Sequence, residues 1–591
     1  MMDELGGTHA AKEARYFGSD VVVDFLQSKN IEYIALNPGA SFRGLHDSIV
    51  NHGANSPEII LVPHEKVAVG IAHGFAKATG RMMGVALHDL VGLLHGTMGV
   101  YYAYVDRAPM VILGGAGPMD AARRRPWIDW IHTANVQNAA VREYTKWDDH
   151  PFSVAAIPES LERGWRIAGA HPQGPVYIAL DADLQEEEVT GDRPRLRDHD
   201  SVPTQLSPDP HALESLADML CAAARPVLIA GAVGRDPAMW TVLVELAELV
   251  GAAVVDTNIR HNFPNRHPLN LTGSDVVSEA DLVVLLDVKD VGQHTGLLTK
   301  ADRGGRLRSP AGAKIVDIGF GDIGISSWSV DYGGFYEADL RVTADTTAAL
   351  PLLLDATRGR VSQEEAGHAQ ARHRRRAEFG RIHDDLRSRW SDVAQAPHLG
   401  EAMSTARLVH EVGQAIAPHD WILTAGTGNG WAPRLWDFDR HDRHVGRSLG
   451  TSTQIGISLG VALAYRGTGR LVVDLQPDGD LMFDASALWV ASHHRIPMLV
   501  IMVNNRAYNN DWVHQKAMAD ERDTPRERTW IGITIEDPEP DFATLARSFG
   551  WHAAGPITEP DAIGAAVAEA IDHIQRTGMP ALVDIVCSAD D

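Results

Sequence analysis

The segment Leu471-Val472-Val473-Asp474-Leu475-Gln476-Pro477-Asp478-Gly479-Asp480 sets a carboxylate and a glycine directly after an apolar run, and Asn504-Asn505-Arg506-Ala507-Tyr508 closes the next such run. Residues 470–475 and 498–503 read as strands, with a helix over about 483–494 between them. In an open α/β sheet the carboxyl ends of neighbouring strands converge on one crevice, so Asp478 and Asn505, 27 positions apart, are expected to meet there. The Asp478 carboxylate, the Asn505 amide oxygen and the turn carbonyl of Ala507 make three hard oxygen donors. They fill half an octahedral shell and leave room for water and two diphosphate oxygens, the usual way in which Mg²⁺ is held when it carries a nucleotide or diphosphate. Gly479 lets backbone N–H groups come close to a phosphate.

An Asp-Gly followed at this spacing by Asn-Asn resembles the thiamine-diphosphate signature of the acetolactate synthase, pyruvate oxidase and benzoylformate decarboxylase superfamily. The runs Ala487-Leu488-Trp489 and Asn504-Asn505 are similar to the benzoylformate decarboxylase branch in particular. The resemblance implies that Asp478, Asn505 and the Ala507 carbonyl hold Mg²⁺ and that thiamine diphosphate is the cofactor. Two positions depart from the pattern. The family has Gly where this chain has Pro477, and a small residue where it has Asp480. A carboxylate aimed at a diphosphate would repel it, so the Asp480 side chain is expected to turn away while its backbone N–H serves the phosphate.

A second match lies some 400 residues earlier. Val62-Pro63-His64-Glu65-Lys66-Val67-Ala68-Val69-Gly70-Ile71-Ala72-His73-Gly74 resembles the first-domain helix that opens with the family's essential glutamate. Thiamine acts only after its thiazolium C2–H is lost, and a carboxylic acid hydrogen-bonded to the pyrimidine N1′ drives the tautomer that takes this proton. The resemblance assigns that role to Glu65. It also places Asn37-Pro38-Gly39-Ala40-Ser41 on the substrate side, with Ala40 where benzoylformate decarboxylase has serine. His88, in Ala86-Leu87-His88, becomes the first choice for proton transfer, with Asp89 as a group to orient it; His64 and His95 are weaker candidates. Gly428, Asn429 and Gly430 resemble a second diphosphate-contacting loop. The stretch from Leu449 through Gly450 and Thr451 to Gly456 falls where relatives carry an apolar wedge that bends the cofactor, and Thr451 is no such residue. Residues 509–515 are expected to begin a cover over the site.

These motifs need a scaffold. Short apolar runs alternate with helical patterns throughout: Tyr33–Leu36, 83–87 and 110–113, then Pro226–Ala230, 282–287 and 314–318, then 421–424, 470–475 and 498–503 read as strands. Glu65–Thr79 reads as a helix ended by Gly80. The fold class expected is therefore α/β, with three doubly wound parallel-sheet domains: pyrimidine-binding (15–188), central Rossmann-like (206–355) and diphosphate-binding (401–588). Residues 185–210 and 356–400 read as linkers, and the basic run Arg372-His373-Arg374-Arg375-Arg376 as a solvated helix face. The central block lacks a Gly-x-Gly-x-x-Gly fingerprint. Relatives hold FAD, a CoA- or ADP-containing group, or nothing there; residues 230–234 are where such a ligand would sit, and a ligand-free domain is the favoured expectation.

With 591 residues and 45% hydrophobic content the chain has ample apolar surface to bury. Its net charge of −25 disfavours nucleic acid and anionic membranes as partners, and two cysteines exclude a disulfide scaffold or Cys-rich zinc module. No run reads as a membrane span or a signal peptide, so a cytoplasmic protein is the expectation. In the family each site draws its pyrimidine- and diphosphate-binding domains from different subunits, so the resemblance implies a homodimer or homotetramer. The implied reaction is that of a lyase or carboligase on a 2-oxo acid or related 2-hydroxy carbonyl compound, through a C2 carbanion and an enamine. An acetolactate-synthase-type acyl transferase, a 2-hydroxyacyl-CoA lyase and a non-catalytic sensor or scaffold are the alternatives.

Overall fold

The structure is a computed structural model that describes residues 15–197, 201–294, 312–321, 323, 336–363, 366–397, 402–448 and 450–589. Parts of the two expected linkers, and Leu449, lie outside those residues.

Three parallel sheets follow one another along the chain. In the first, β1 (Tyr33–Leu36), β2 (Glu58–Leu61), β3 (Gly84–Leu87), β4 (Met110–Ala116), β5 (Trp147–Asp149) and β6 (Pro175–Asp181) stand in the order β2-β1-β3-β4-β6-β5. In the second, β7 (Pro226–Ala230), β8 (Ala253–Asp256), β9 (Leu282–Leu286), β10 (Lys314–Gly319) and β11 (Leu340–Thr343) stand as β11-β10-β9-β7-β8. In the third, β12 (Trp421–Leu423), β13 (Leu471–Pro477), β14 (Leu499–Asn504), β15 (His552–Ile557) and β16 (Ala581–Val586) stand as β12-β13-β14-β16-β15. The central strands are buried along their length, as parallel strands covered on both faces must be. Among the described residues no helix is long and apolar enough to cross a membrane.

The first and third domains share one hydrophobic core, whereas the central domain has its own. The shared core forms because α1 (Glu65–Thr79), with α2 (Asp89–Val105) packed beside it, meets a helix of the third domain, which requires glycines. A Cβ on Gly74 would lie 1.9 Å from the Ile457 carbonyl, and one on Gly460 would lie 2.0 Å from that of Ile71. Backbone therefore touches backbone, and no larger residue fits there.

Most of the described part of the expected linker 356–400 is helical. In the central domain one residue of α5 (Ala366–Ala394) reaches the C-terminal ends of both α3 (Pro210–Ala222) and α4 (Pro237–Val250). Arg375 of α5 is buried. Its guanidinium donates to the carbonyls of Ala223 (3.2 Å), Ala224 (2.7 Å), Gly251 (2.8 Å) and Val250. One member of the basic run thus caps two helix C-termini, where orphan carbonyls favour a cation.

Charged side chains join the three domains. Asp106, at the end of α2, takes His73 Nε2 at 2.7 Å and Lys77 Nζ at 2.5 Å, both from α1, with Arg260 of the central domain close by. Burial alone would raise its pKa, but Lys77, Arg260 and His73 hold it well below the usual carboxylate range. Changing Asp106 to asparagine leaves Lys77 and Arg260 without this counter-charge, and is expected to lower stability by about 3–5 kcal/mol in thermal or denaturant unfolding. Because the folded pKa is depressed, this stabilisation is full at neutral pH and fades as pH falls below the ordinary Asp value of about 3.9.

Candidate active site

In the third sheet β13 and β14 are neighbours with Pro477 opposite Val503, so the two loops after them emerge side by side. Asp478 opens the short helix α7 (Asp478–Phe483), which follows α6 (Gln454–Ala464), the helix that packs on α1. Asp478 is buried. Its Oδ1 accepts the Gly479 N–H at 2.8 Å, the N–H groups of Arg506 and Ala507 face the carboxyl, and Oδ2 has no partner. Burial pushes its pKa up to about 6 against the pull of those amides. The Asn505 Oδ1 accepts from Ala507 N at 3.1 Å, and Arg506 turns the chain at φ +54°. Asp478, Asn505 and Ala507 thus come together, and the orphaned buried oxygen of Asp478 is what an octahedral cation would satisfy.

On the other side of β13, β12 runs into Gly428, Asn429 and Gly430, three successive residues with φ of +54°, +53° and +83°. The strand order β12-β13-β14 aligns three loops at one sheet edge: 428–430, 478–480 and 505–507. Gly479 packs closely under the Tyr508 ring, which a Cβ there would approach to 2.7 Å. Asp480 turns away from the cradle, as the sequence suggested: its carboxylate accepts the Ser452 N–H, the Gln454 N–H at 3.3 Å and the Gln476 amide at 3.3 Å. Gly450 and Thr451 lie against Tyr102 of α2. The ring fills the space of a Gly450 Cβ, and the Thr451 backbone meets the hydroxyl.

Glu65 begins α1 because His64 caps it, its Nδ1 accepting the Lys66 N–H at 3.1 Å. The Glu65 side chain is buried, taking Asn37 Nδ2 at 3.1 Å, with His95 Nδ1 at 3.4 Å; His95 stacks on His64. Lys66 reaches Asp484 of the third domain at 3.0 Å, so Glu65 lies at the seam between first and third domains.

His88 ends β3. The geometry corrects the expected role of Asp89: the imidazole Nδ1 is 2.8 Å from Ser41 Oγ and 4.0 Å from the Asp89 carboxylate. Asp89 is fully buried, held at φ +45° and pushed up to about 6 by burial; its N–H donates to Ser41 Oγ at 3.2 Å. Adjacent side chains diverge, and Ser41, five residues past β1, fills the gap. His132 lies edge-on to His88 with ring centroids 5.1 Å apart, and burial together with His132 lowers the His88 pKa. Arg125 donates to the Ala40 carbonyl at 3.1 Å and pairs with Asp129. Sequence reasoning passed over Arg125, which lies in a turn region, and His132, which ends the helix Ile128–His132, too short to show a periodicity. Residues 509–515 belong to the helix Asn509–Arg522, largely exposed beside the 505–507 turn.

In the central domain the mouth of the sheet is bridged by the chain's own charges. Arg107 of the first domain binds Asp287 at 2.7 Å, Arg235 binds Asp287 at 2.9 Å, and Arg235 also binds Asp345. A Cβ on Gly231 would collide with the Asp287 carbonyl at 2.1 Å. Beside these ion pairs the loop 230–234 borders a cavity of about 580 Å³, lined by Ala232, Gly234 and Arg235 together with Lys77, Arg107, Arg260 and Lys289.

Two family models match the two outer domains: the thiamine pyrophosphate enzyme N-terminal TPP-binding domain over residues 17–137 and the C-terminal TPP-binding domain over residues 424–585. Acetolactate synthase 1 of Zea mays is 22% identical over 96% of this chain and 85% of that protein. Benzoylformate decarboxylase of Pseudomonas aeruginosa is 24% identical over 89% of this chain and 91% of that protein. Among solved structures, a thiamine diphosphate-dependent 4-hydroxybenzoylformate decarboxylase of Rhodococcus jostii superposes with a TM-score of 0.74 at 19% identity, covering 98% of this chain and all of that one. The matched segments are those whose loops carry Glu65 and Asp478, and on both counts the chain belongs to the thiamine-diphosphate-dependent enzymes of the acetolactate synthase and benzoylformate decarboxylase superfamily.

Proposed function

We propose that this enzyme is a Mg²⁺-dependent lyase or carboligase acting on a 2-oxo acid or a related 2-hydroxy carbonyl compound. Bound thiamine diphosphate supplies an electron sink for the pair left when a carbon–carbon bond beside a carbonyl breaks. Asp478, Asn505 and the Ala507 carbonyl hold the metal. Backbone amides of 428–430 and 479–480 approach the diphosphate. Glu65 holds a proton at the pyrimidine face, positioned by Asn37. With Nδ1 of His88 engaged at Ser41, proton exchange with substrate falls to Nε2, and the lowered pKa keeps that imidazole neutral and able to act as a base at pH 7. The observation that carries the reading is the unpartnered, buried Asp478 oxygen beside Asn505, in one chain with a buried glutamate at the domain seam.

Exposed apolar side chains flank both halves: Leu94, Met98, Trp127 and Trp130 by the first, Met482, Phe483, Trp530 and Ile531 by the third. These support a homodimer or homotetramer whose sites lie at the subunit interface. Sedimentation at micromolar concentration reads this out.

Incubating the Mg²⁺–cofactor enzyme with a panel of 2-oxo acids and 2-hydroxyacyl-CoA thioesters, and following CO₂ and aldehyde, tests the reaction. Turnover of a 2-oxo acid is the expected result. Turnover of thioesters alone would transfer the assignment to CoA-thioester cleavage, and silence across the panel would overturn it. Metal affinity carries a pH signature. Because Asp478 must lose a proton near pH 6 before it can bind, Mg²⁺ affinity is expected to weaken toward tenfold per unit below that pH, measured by calorimetric titration.

A further inference from the structure

Cleavage of a 2-oxo acid moves protons at two atoms: one on and off the carbonyl oxygen, and one to the carbon that loses its carboxylate. His88 offers a single free nitrogen for both, because its Nδ1 is held at Ser41 Oγ, 2.8 Å away. A second imidazole stands beside it. His132 closes the short helix Ile128–His132 and lies edge-on to His88, with centroids 5.1 Å apart. The pair borders Glu65: a Cβ on Gly92 would lie 3.2 Å from Glu65 Oε1 and 3.3 Å from His88 Cβ. All these residues belong to the first domain, so their arrangement is kept whichever subunit supplies the facing cradle.

The stretch that carries His132 is fastened along its length. The Met119 N–H donates to Asp181 at 2.8 Å, Arg125 donates to the Ala40 carbonyl at 3.1 Å and to Asp129 at 2.8 Å, and the Gln137 amide donates to the Gly115 carbonyl at 2.7 Å. These ties sustain Trp127 at φ +79°, a conformation unfavourable to tryptophan. Within this frame two buried polar atoms have no partner, Nδ1 of His132 and Oδ2 of Asp89. Buried polar atoms are ordinarily paired, and catalytic sites are where exceptions belong. His132 draws the Asp89 carboxyl toward its charged form, so that carboxyl can in turn stabilise a proton on the ring. Around His88, the charges of His132 and Arg125 oppose protonation, Glu65 favours it, and Asp89 stands 4.0 Å away. Two imidazoles this close do not both hold a proton readily, and a charge on one leaves the other as the base.

We propose that His132 is a catalytic residue paired with His88, and that Asp89 serves the His132 ring. This rests on the functional reading above. One imidazole lends its proton to the carbonyl oxygen on addition and recovers it as the aldehyde leaves. The other gives a proton to the carbon, where the electron pair released with CO₂ becomes a C–H bond, and is recharged from water.

The test uses the full-length Mg²⁺–cofactor enzyme, His132→Gln and His132→Ala, and the 2-oxo acid that the wild type turns over fastest in the panel above. In both variants kcat is expected to fall about 10²-fold. Cofactor Kd and C2–H/D exchange stay within about twofold of the wild type, since neither depends on the proton traffic of this pair. Added imidazole restores part of the His132→Ala rate, a recovery that a packing role would not give. NMR titration of the cofactor-free chain supplies a readout apart from turnover: the His88 midpoint rises in His132→Gln, because an opposing charge is gone. An unchanged kcat, a loss without recovery by imidazole, or a stationary His88 midpoint would overturn the pair. Should neither variant fold, the wild-type titration decides, and two rings titrating independently would overturn it. Silence of the wild type across the panel overturns the functional reading and the pair with it; an active wild type beside unaltered variants overturns the pair alone.

Discussion

Glu65→Gln is expected to slow C2–H/D exchange of bound thiamine diphosphate by about 10²–10⁴-fold, the usual contribution of a positioned proton-transfer group. The cofactor Kd should stay near that of the wild type. The side chain is buried at the start of α1, with one hydrogen-bond donor, Asn37 Nδ2 at 3.1 Å, and the exposed His95 at 3.4 Å. Glutamine matches the shape, still accepts from Asn37 and keeps the first turn of the helix, so neither packing nor folding should suffer. What it loses is the ability to hold and return a proton. Exchange followed by quenched NMR of the released cofactor isolates this loss from substrate binding. An unaltered rate in a variant that binds cofactor normally would remove Glu65 from the chemistry and restore it to the ordinary role of an acidic residue complementing a helix dipole.

Much of the frame was readable in the sequence, because strands buried on both faces leave continuous apolar runs. Tyr33–Leu36 and Pro226–Ala230 fall where those runs put them, and other strands differ by a residue or a few at an end, as at Met110–Ala116. The helix Glu65–Thr79 was legible from its apolar spacing and from Gly80, which adopts φ +69°. The expected single helix over 483–494 is instead two, Asp478–Phe483 and Ala487–His493. The break falls at Asp484, whose carboxylate is taken by Lys66 from more than 400 residues away, and no local pattern encodes that pairing. The same limit explains the other differences. Asp89 looked like the partner of His88 because it is next to it in the chain, whereas the imidazole is held by Ser41 on another loop. Arg375 looked solvated within a basic run, whereas the ends of α3 and α4 bury it. Side-chain identity gave the inventory of the site, and tertiary pairing decided which member served which neighbour.

Asp478→Asn is expected to weaken Mg²⁺–thiamine diphosphate binding by at least about 10²-fold, roughly 3 kcal/mol, while making the cofactor-free chain more stable. The two effects have one cause. In the free chain the carboxylate is buried with an unpartnered oxygen, and its pKa is pushed up to about 6 from an ordinary value near 3.8. A raised folded pKa means that ionising this group at neutral pH works against folding. The burden is full above pH 6 and lifts as pH falls through that value toward the unfolded one. A shift of about two units corresponds to up to roughly 3 kcal/mol, and the neutral amide escapes it. With metal present the sign reverses, because the divalent cation needs the charge that the amide lacks and the Asn505 oxygen cannot replace it. A purely structural Asp478 would lose stability on substitution, with or without cofactor. Thermal melts of the variant and wild type at pH 7.5 and at pH 5, each with and without Mg²⁺ and thiamine diphosphate, separate the cases. A melting temperature raised in the free chain, lowered relative to wild type when both ligands are added, and converging at low pH is the pattern that a metal-binding carboxylate alone produces. A free chain destabilised at both pH values would show that residue 478 holds the turn together and that the cation, if it binds, is held elsewhere.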